Sequence, residues 1–301
     1  MIRESTLSEL IDGLDRMGGG DDTARRFVGV YHCQARQCLT RMSVAAPTLM
    51  MPLIGSKRIV VAEQSYIAAA GEYLVLPPGA GFDVENRPDP QRGRYLGAAL
   101  VFDSQTVALF RHLYGSDQAN WALTPKWQVQ GTDELFSAVA EWVRRNHEFP
   151  ADATQTRHRM MEILLLIARQ GAAGNLLFQQ QDSLRGRIKH LLALDPARGW
   201  RIEEVTKRLA LSESTLRRQL RAEGVSFRDL LEDVRLDRGV DLVMTTDMPI
   251  GQIAFDCGYQ SQSRFSERFR LRFSLSPTEL RATQQQETGA VISLAQRRAR
   301  R

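Results

Sequence analysis

The 301-residue chain is 43% hydrophobic and 25% charged, values of folded globular proteins that exclude fibrous and disordered classes. At roughly 150 residues per domain, its length predicts two domains, each large enough to bury a core. The formal net charge of +5 is uneven: residues 1–182 hold 18 Lys and Arg against 20 Asp and Glu (net −2), whereas residues 183–301 hold 22 against 15 (net +7). Only Lys189 and Lys207 among those 22 are lysine. Arginine's planar fork suits phosphates and guanine edges, so a polyanionic partner is expected for the C-terminal part. Apolar runs such as Met160–Ala168 fall well short of the ~20 residues that span a membrane. The N-terminal Met1-Ile2-Arg3-Glu4-Ser5 has an early acid and no apolar stretch, so no secretory leader and a cytoplasmic location are expected. Three cysteines, Cys33, Cys38 and Cys257, are too few for a disulfide framework; Cys33 and Cys38 read as small hydrophobes or as a redox or metal pair.

From Phe27 to Phe102, short β-branched and aromatic runs (27–31, 58–62, 73–76 and 96–102) are punctuated by Gly, Pro and Asn, predicting a sandwich or small barrel. The segment from Gly71 to Asn86 resembles the second cupin motif, with Gly71, Pro77, Gly79 and Asn86 in register and Phe82 where that motif carries a metal-binding histidine. His32 is a lone histidine in a strand, so no metal site is expected; a barrel of this size can hold one small ligand. Arg25, Arg26, Arg36 and Arg41 can be read as exposed charge or as a cradle for a nucleotide second messenger.

Three helices are predicted at 104–115, 132–148 and 153–169, either buried on the barrel or forming a dimer seam; Leu135, Val139, Trp142 and Val143 stripe the second. Gly171-Ala172-Ala173-Gly174-Asn175 and the polar 179–182 read as a linker, placing the domains at 1–175 and 183–283 with a basic tail at 284–301.

Beyond the linker, Ile202, Val205 and Leu209, then Leu216 and Leu220, mark two short helices, the second capped by Ser212. Ile250, Ile253 and Cys257 repeat the first set at an offset of 48, and Phe265 and Phe269 the second at 49. This is an internal repeat of a helix-turn-helix unit. Ala254 is small where the helices cross, and Gly258 allows a left-handed turn; Thr206 and Ala210 hold the matching places in the first unit. Ser226-Phe227-Arg228-Asp229 forms a capping box opening a spacer helix to about Met244. Pro249 is expected at a first helical position, and Ser276-Pro277 starts a closing helix. A spacer of ~27 Å sets the two second helices about one DNA turn, ~34 Å, apart. Their outward residues form the candidate DNA-binding set: Ser214, Thr215, Arg217, Arg218, Gln219 and Arg221 on the first, and Gln262, Ser263, Arg264, Ser266, Glu267, Arg268 and Arg270 on the second. Arg and Gln read base edges, while Ser and Thr hold phosphates.

Residues 202–283 resemble the DNA-binding domain of the AraC/XylS transcription regulators, chiefly in Ile250–Tyr259, Ser263–Arg270 and Ser276–Arg281. The stretch Ser214–Phe227 is similar to a branch of virulence regulators, some of which sense fatty acids. The resemblance implies an α+β protein: an N-terminal cupin-like β-barrel with flanking helices, and an all-α domain of two helix-turn-helix units joined by a spacer. It further implies a non-enzymatic, cofactor-free activator binding double-stranded promoter DNA, contacting RNA polymerase, working as a homodimer and answering a small-molecule effector, a fatty acid or second messenger. The alternatives are a repressor or ligand-independent regulator whose N-terminal domain only dimerises or binds a protein, and a cupin enzyme with an appended DNA-binding module.

Overall fold

A computed structural model describes residues 2–16, 27–115, 126–149, 152–177 and 184–284. Helix α1 (Glu4–Arg16) precedes β1 (Val28–Cys33), β2 (Gln37–Met42), β3 (Thr48–Ile54), β4 (Ser56–Val61), β5 (Gln64–Ala69), β6 (Glu72–Leu76), β7 (Phe82–Arg87) and β8 (Tyr95–Val101). There follow α2 (Ser104–Tyr114), β9 (Gln128–Gln130), α3 (Asp133–Glu148), α4 (Ala153–Arg169) and α5 (Gly174–Leu177). The strands pair antiparallel in two sheets, ordered β1-β8-β3-β6-β9 and β2-β7-β4-β5. The expected α+β architecture is therefore present, with a β domain made of two facing sheets.

The pleat sorts side chains between two cores. On β6, Tyr73 and Val75 join the cluster that receives Leu10 of α1, Phe110 of α2, Val139 and Val143 of α3 and Ile163 and Ile167 of α4. Leu74 and Leu76 point the other way, toward Leu39, Ile59 and Val84 of the second sheet. The helices thus bury on the outer face of the larger sheet. Asp103, Thr132 and Asp152 cap α2, α3 and α4, each side chain accepting from a first-turn amide.

The linker expected at 171–175 is core instead. Ala172, Ala173, Gly174 and Asn175 are buried, and the Asn175 amide donates to the Val75 and Lys126 carbonyls at 3.0 and 2.9 Å. The small side chains that read as flexibility are what fits between sheet and helices, and buried chain continues through Leu177. The polar 179–182, Arg25, Arg26 and the tail from 285 lie outside the described residues.

The C-terminal part comprises α6 (Leu184–Ala193), α7 (Ile202–Leu209), α8 (Glu213–Ala222), α9 (Phe227–Thr245), α10 (Ile250–Asp256), α11 (Gln262–Phe273) and α12 (Pro277–Ala282). The two units are α7–α8 and α10–α11, and α9 serves both. Its Leu230 and Val234 pack with Val205, Leu216 and Leu220 of the first unit. Its Leu236, Val240 and Val243 pack with Ile253, Phe265 and Phe269 of the second. The capping box at Ser226 forms as expected, and the helix start expected at Ser276-Pro277 carries a second box, closed by Glu279. Pro249 is the residue before α10 rather than its first helical position, its ψ of 138° being extended.

Gly258 takes φ +80°, and a Cβ there would lie 2.9 Å from the Ala197 carbonyl, so glycine is demanded twice over. Its counterpart Ala210 also turns left-handed, with φ 53° and a side chain that disfavours it. Because such a turn costs a non-glycine residue roughly 1–2 kcal/mol, partly offset by glycine's greater unfolded entropy, Ala210→Gly is expected to raise unfolding stability by about 0.5–1 kcal/mol. Chemical denaturation followed by circular dichroism measures it, and an unchanged or lower midpoint contradicts the strain.

Candidate nucleic-acid interface and the domain seam

Helices α8 and α11 bury only their apolar stripes, Leu216 and Leu220 in one and Phe265, Phe269 and Phe273 in the other. The three phenylalanines form an edge-on ladder with ring centroids 5.4 and 4.7 Å apart, which fixes the azimuth of α11. The thirteen candidate residues fall on the opposite faces. Eleven are exposed and two, Thr215 and Ser266, are half-buried. Ser212 and Ser261 cap the helices by accepting from the Thr215 and Arg264 amides.

The candidate arginines differ in how free they are. Arg217 pairs with Glu213 on its own helix at 2.6 Å, and Arg268 pairs with Glu232 of α9. Arg218, Arg221, Arg264 and Arg270 have no carboxylate within ion-pairing distance among the described residues.

A second group of polar residues, not foreseen from the sequence, joins the domains. The Arg41 guanidinium of β2 donates to the Leu271 carbonyl and, at 3.2 Å, to the Arg272 carbonyl; Thr40 donates to the same Arg272 carbonyl at 3.1 Å. The β domain thereby satisfies last-turn carbonyls of α11 that no amide of that helix reaches. Arg41 is exposed, as one of its two sequence readings has it, yet its guanidinium is engaged by these carbonyls; Arg36, also exposed, is held 2.5 Å from Glu85. Arg272 meets Asp237 at 2.5 Å and Asp233 at 3.2 Å on α9, with Lys189 of α6 3.3 Å from Asp233. Ser43 donates to Asp237 at 3.0 Å, and Tyr31 to Asp241 at 3.3 Å. Asp233, Asp237 and Asp241 recur every four residues, a stripe of α9 that the spacing alone could have disclosed.

A relay runs from the barrel to the end of α12. Lys57, buried on β4, donates to Asn86 at 2.5 Å; Asn86 donates to Gln37 at 2.8 Å, and Gln37 to Thr283 at 2.6 Å. Burial lowers the Lys57 ammonium to about 8. It pushes the nearby Cys33 thiol up to about 12; Cys33 is a buried free thiol, Cys38 is exposed, and no disulfide joins them. Phe82, in the position of the cupin metal ligand, is buried in the apolar cluster, and His32 is exposed.

Beside this seam lies a cleft of about 820 Å³. Arg41, Val60 and Phe82 line it from the β domain, and Arg185, Lys189 and Leu236 from the helical domain.

Comparison with known proteins places these features. Residues 205–283 match the family described as "Helix-turn-helix domain". The chain is 33% identical over 109 residues to the urease operon transcriptional activator of Escherichia coli, covering 36% of this chain and 37% of that protein. It is 32% identical over 123 residues to the transcriptional regulator GadX of Escherichia coli, covering 40% and 45%. The chain thus spans less than half the length of these two relatives. The crystal structure of unsaturated fatty acid bound ToxT from Vibrio cholerae superposes with a TM-score of 0.61 at 19% identity, covering 88% of this chain and 97% of that one, a likeness of fold. The sequence resemblance in the C-terminal part and the cupin-like fold of the N-terminal part are both borne out.

The seam has a pH dependence of definite sign. Burial, outweighing the attraction of Arg272 and Lys189, raises the Asp237 carboxyl to about 6. Exposed by domain separation, it returns to roughly the ordinary carboxylate value near 3.9. The docked form therefore takes up a proton. Acidification from about pH 6 to 4 strengthens docking by up to about a hundredfold, and above about pH 6, where the carboxyl is ionised in both forms, the dependence levels off. Energy transfer between dyes on the two domains, titrated over that window, is expected to show closure toward acid in the full chain and a weaker dependence in Asp237→Asn, the remainder coming from Asp241, which burial also raises.

Proposed function

We propose that this chain, which carries an AraC/XylS-type double helix-turn-helix domain behind a cupin-like domain, binds double-stranded promoter DNA through α8 and α11. The observation that carries the reading is the shared spacer. One 19-residue helix contributes to both cores, so the two arginine-bearing faces are held at a fixed mutual placement that suits successive major grooves. Arg264 and Arg218 read base edges, while Ser214, Thr215 and Ser263 hold phosphates. Arg264→Ala is expected to reduce affinity for a selected duplex by about 5- to 100-fold and to relax the base preference at one position, measured by fluorescence anisotropy at fixed salt. Unaltered affinity and selectivity remove Arg264 from base reading.

The N-terminal domain sets the response, and the cleft at the seam is the effector site. The cleft carries five basic and five acidic side chains beside Val60, Phe82 and Leu236; Arg185, with no carboxylate within ion-pairing distance among the described residues, can meet an anionic head whose apolar body rests on those three, the chemistry of a fatty acid. Bound there, the ligand contacts both domains and shifts their docking by its differential affinity for the two arrangements. The output is activation of transcription through contact with RNA polymerase. Native mass spectrometry of the full chain is expected to show a retained or titratable long-chain fatty acid, lost on Arg185→Glu. Absence of binding at saturating ligand overturns the effector assignment.

A second reading, a regulator whose N-terminal domain serves dimerisation, draws on α2, where Leu109 and Leu113 lie one turn apart and are 40% and 55% exposed. The same spectra report the homodimer directly.

A further inference from the structure

Arg228 lies outside the sets that enter the major grooves, yet it stands between them. It is an exposed first-turn residue of α9. On one side it lines a cleft of about 570 Å³ with Trp200, Arg201 and Arg217 of the first unit. On the other it lines a larger cleft, about 1220 Å³, with Ser263, Arg264 and Arg268 of the second. Arg228 is the one lining residue the two clefts share, so it borders both the α8 side and the α11 side.

Glu203 lines the first cleft and Glu267 the second, and the carboxylates nearest Arg228 along α9 are engaged elsewhere. Asp229 is turned back onto Ser226, accepting from its amide at 2.9 Å and its hydroxyl at 2.6 Å. Glu232, one turn further along α9, is neutralised by Arg268. Arg217 is neutralised by Glu213. Arg228 has no carboxylate within ion-pairing distance among the described residues, and neither has Arg264. Arg228 thus presents a guanidinium without a carboxylate partner, among the described residues, to both clefts.

Two helices seated in successive major grooves are separated by one minor groove, about 6 Å wide and walled by a phosphate strand on each side. Whatever occupies the saddle between the helices faces those strands. Resting on the DNA-binding reading above, we propose that Arg228 is a phosphate contact at the saddle, gripping the duplex backbone where the minor groove passes between α8 and α11. Its role is sequence-independent. It adds Coulombic attraction and registers the two units on one face of the duplex, while base selection stays with α8 and α11.

The test uses the full chain with two duplexes of about 30 base pairs, one recovered by selection from a random pool and one of unselected sequence, titrated over a series of salt concentrations. Arg228→Ala is expected to weaken binding to both by the same factor, about 3- to 10-fold, and to make the slope of log affinity against log salt shallower by about 0.9, the value of one lost phosphate contact. Arg228→Lys keeps the charge and is expected to keep the slope. An exposed position makes both variants safe for folding. Unchanged affinity and slope in Arg228→Ala overturn the inference, as does a loss confined to the selected duplex, which makes Arg228 a base reader. Failure of the unsubstituted chain to bind either duplex instead overturns the DNA-binding reading and the inference with it.

Discussion

The packing of α9 is the constraint on which the rest of the molecule depends. Its N-terminal half completes the core of one helix-turn-helix unit and its C-terminal half the core of the other. Its remaining face carries the aspartates that meet the β domain. The apolar residues inside the sheets, Leu39, Ile59, Leu74 and Val84, belong to the same contiguous cluster as Val240, Ile253 and Phe269. A shift of α9 therefore cannot be absorbed locally, because a core at interior packing density moves as discrete arrangements and not by smooth deformation. The two recognition faces and the seam are positioned by one rigid element.

This arrangement explains why α11 differs from α8 in its surroundings. The far end of α8 runs through a short turn directly into α9, whereas the far end of α11 is satisfied by Thr40 and Arg41 from another domain. Arg272 faces the same way and is shared between Asp233, Asp237 and Ser43. The second unit is thus coupled to the N-terminal domain through hydrogen bonds to its own backbone, and the first unit through α9, on which it packs. Any signal that alters docking acts first on the placement of α11.

The helical half was legible in the sequence because its determinants are local. The 48-residue offset between apolar sets, the glycine at the left-handed turn of the second unit and the serine before the second helix of the first each lie within one unit's length. The β half was legible where strands carry β-branched or aromatic runs, as in β1, β4, β6 and β8. Strands β2, β5 and β7 mix buried apolar residues with Gln37, Gln64 or Glu85, and β3 carries Pro52, so their alternation was diluted. Buried Gln37 and Asn86 make sense only once Lys57 and Thr283 are beside them, and Thr283 is 246 residues away from Gln37. No window on the sequence contains that partnership. Gly171–Asn175 misled for a related reason, since small residues mark a flexible link and a tight helix-to-sheet contact equally well.

The candidate site divides along the same line. Which residues of α8 and α11 face outward followed from helical period, and all thirteen are exposed or half-buried as that period requires. Which arginines are free did not follow, because pairing depends on carboxylates from other elements. Arg268 meets Glu232 from a helix 36 residues earlier, so its charge is offset before DNA arrives, whereas Arg264, one turn away, stays unpaired. Binding DNA must draw Arg268 away from Glu232 or leave it behind as a strut that holds α11 against α9. Since an exposed pair of this kind is worth little, roughly 0–1 kcal/mol, and a duplex brings a dense array of phosphates, the exchange is cheap. The pairing therefore sets the orientation of α11 in the unbound chain without holding it back from the groove.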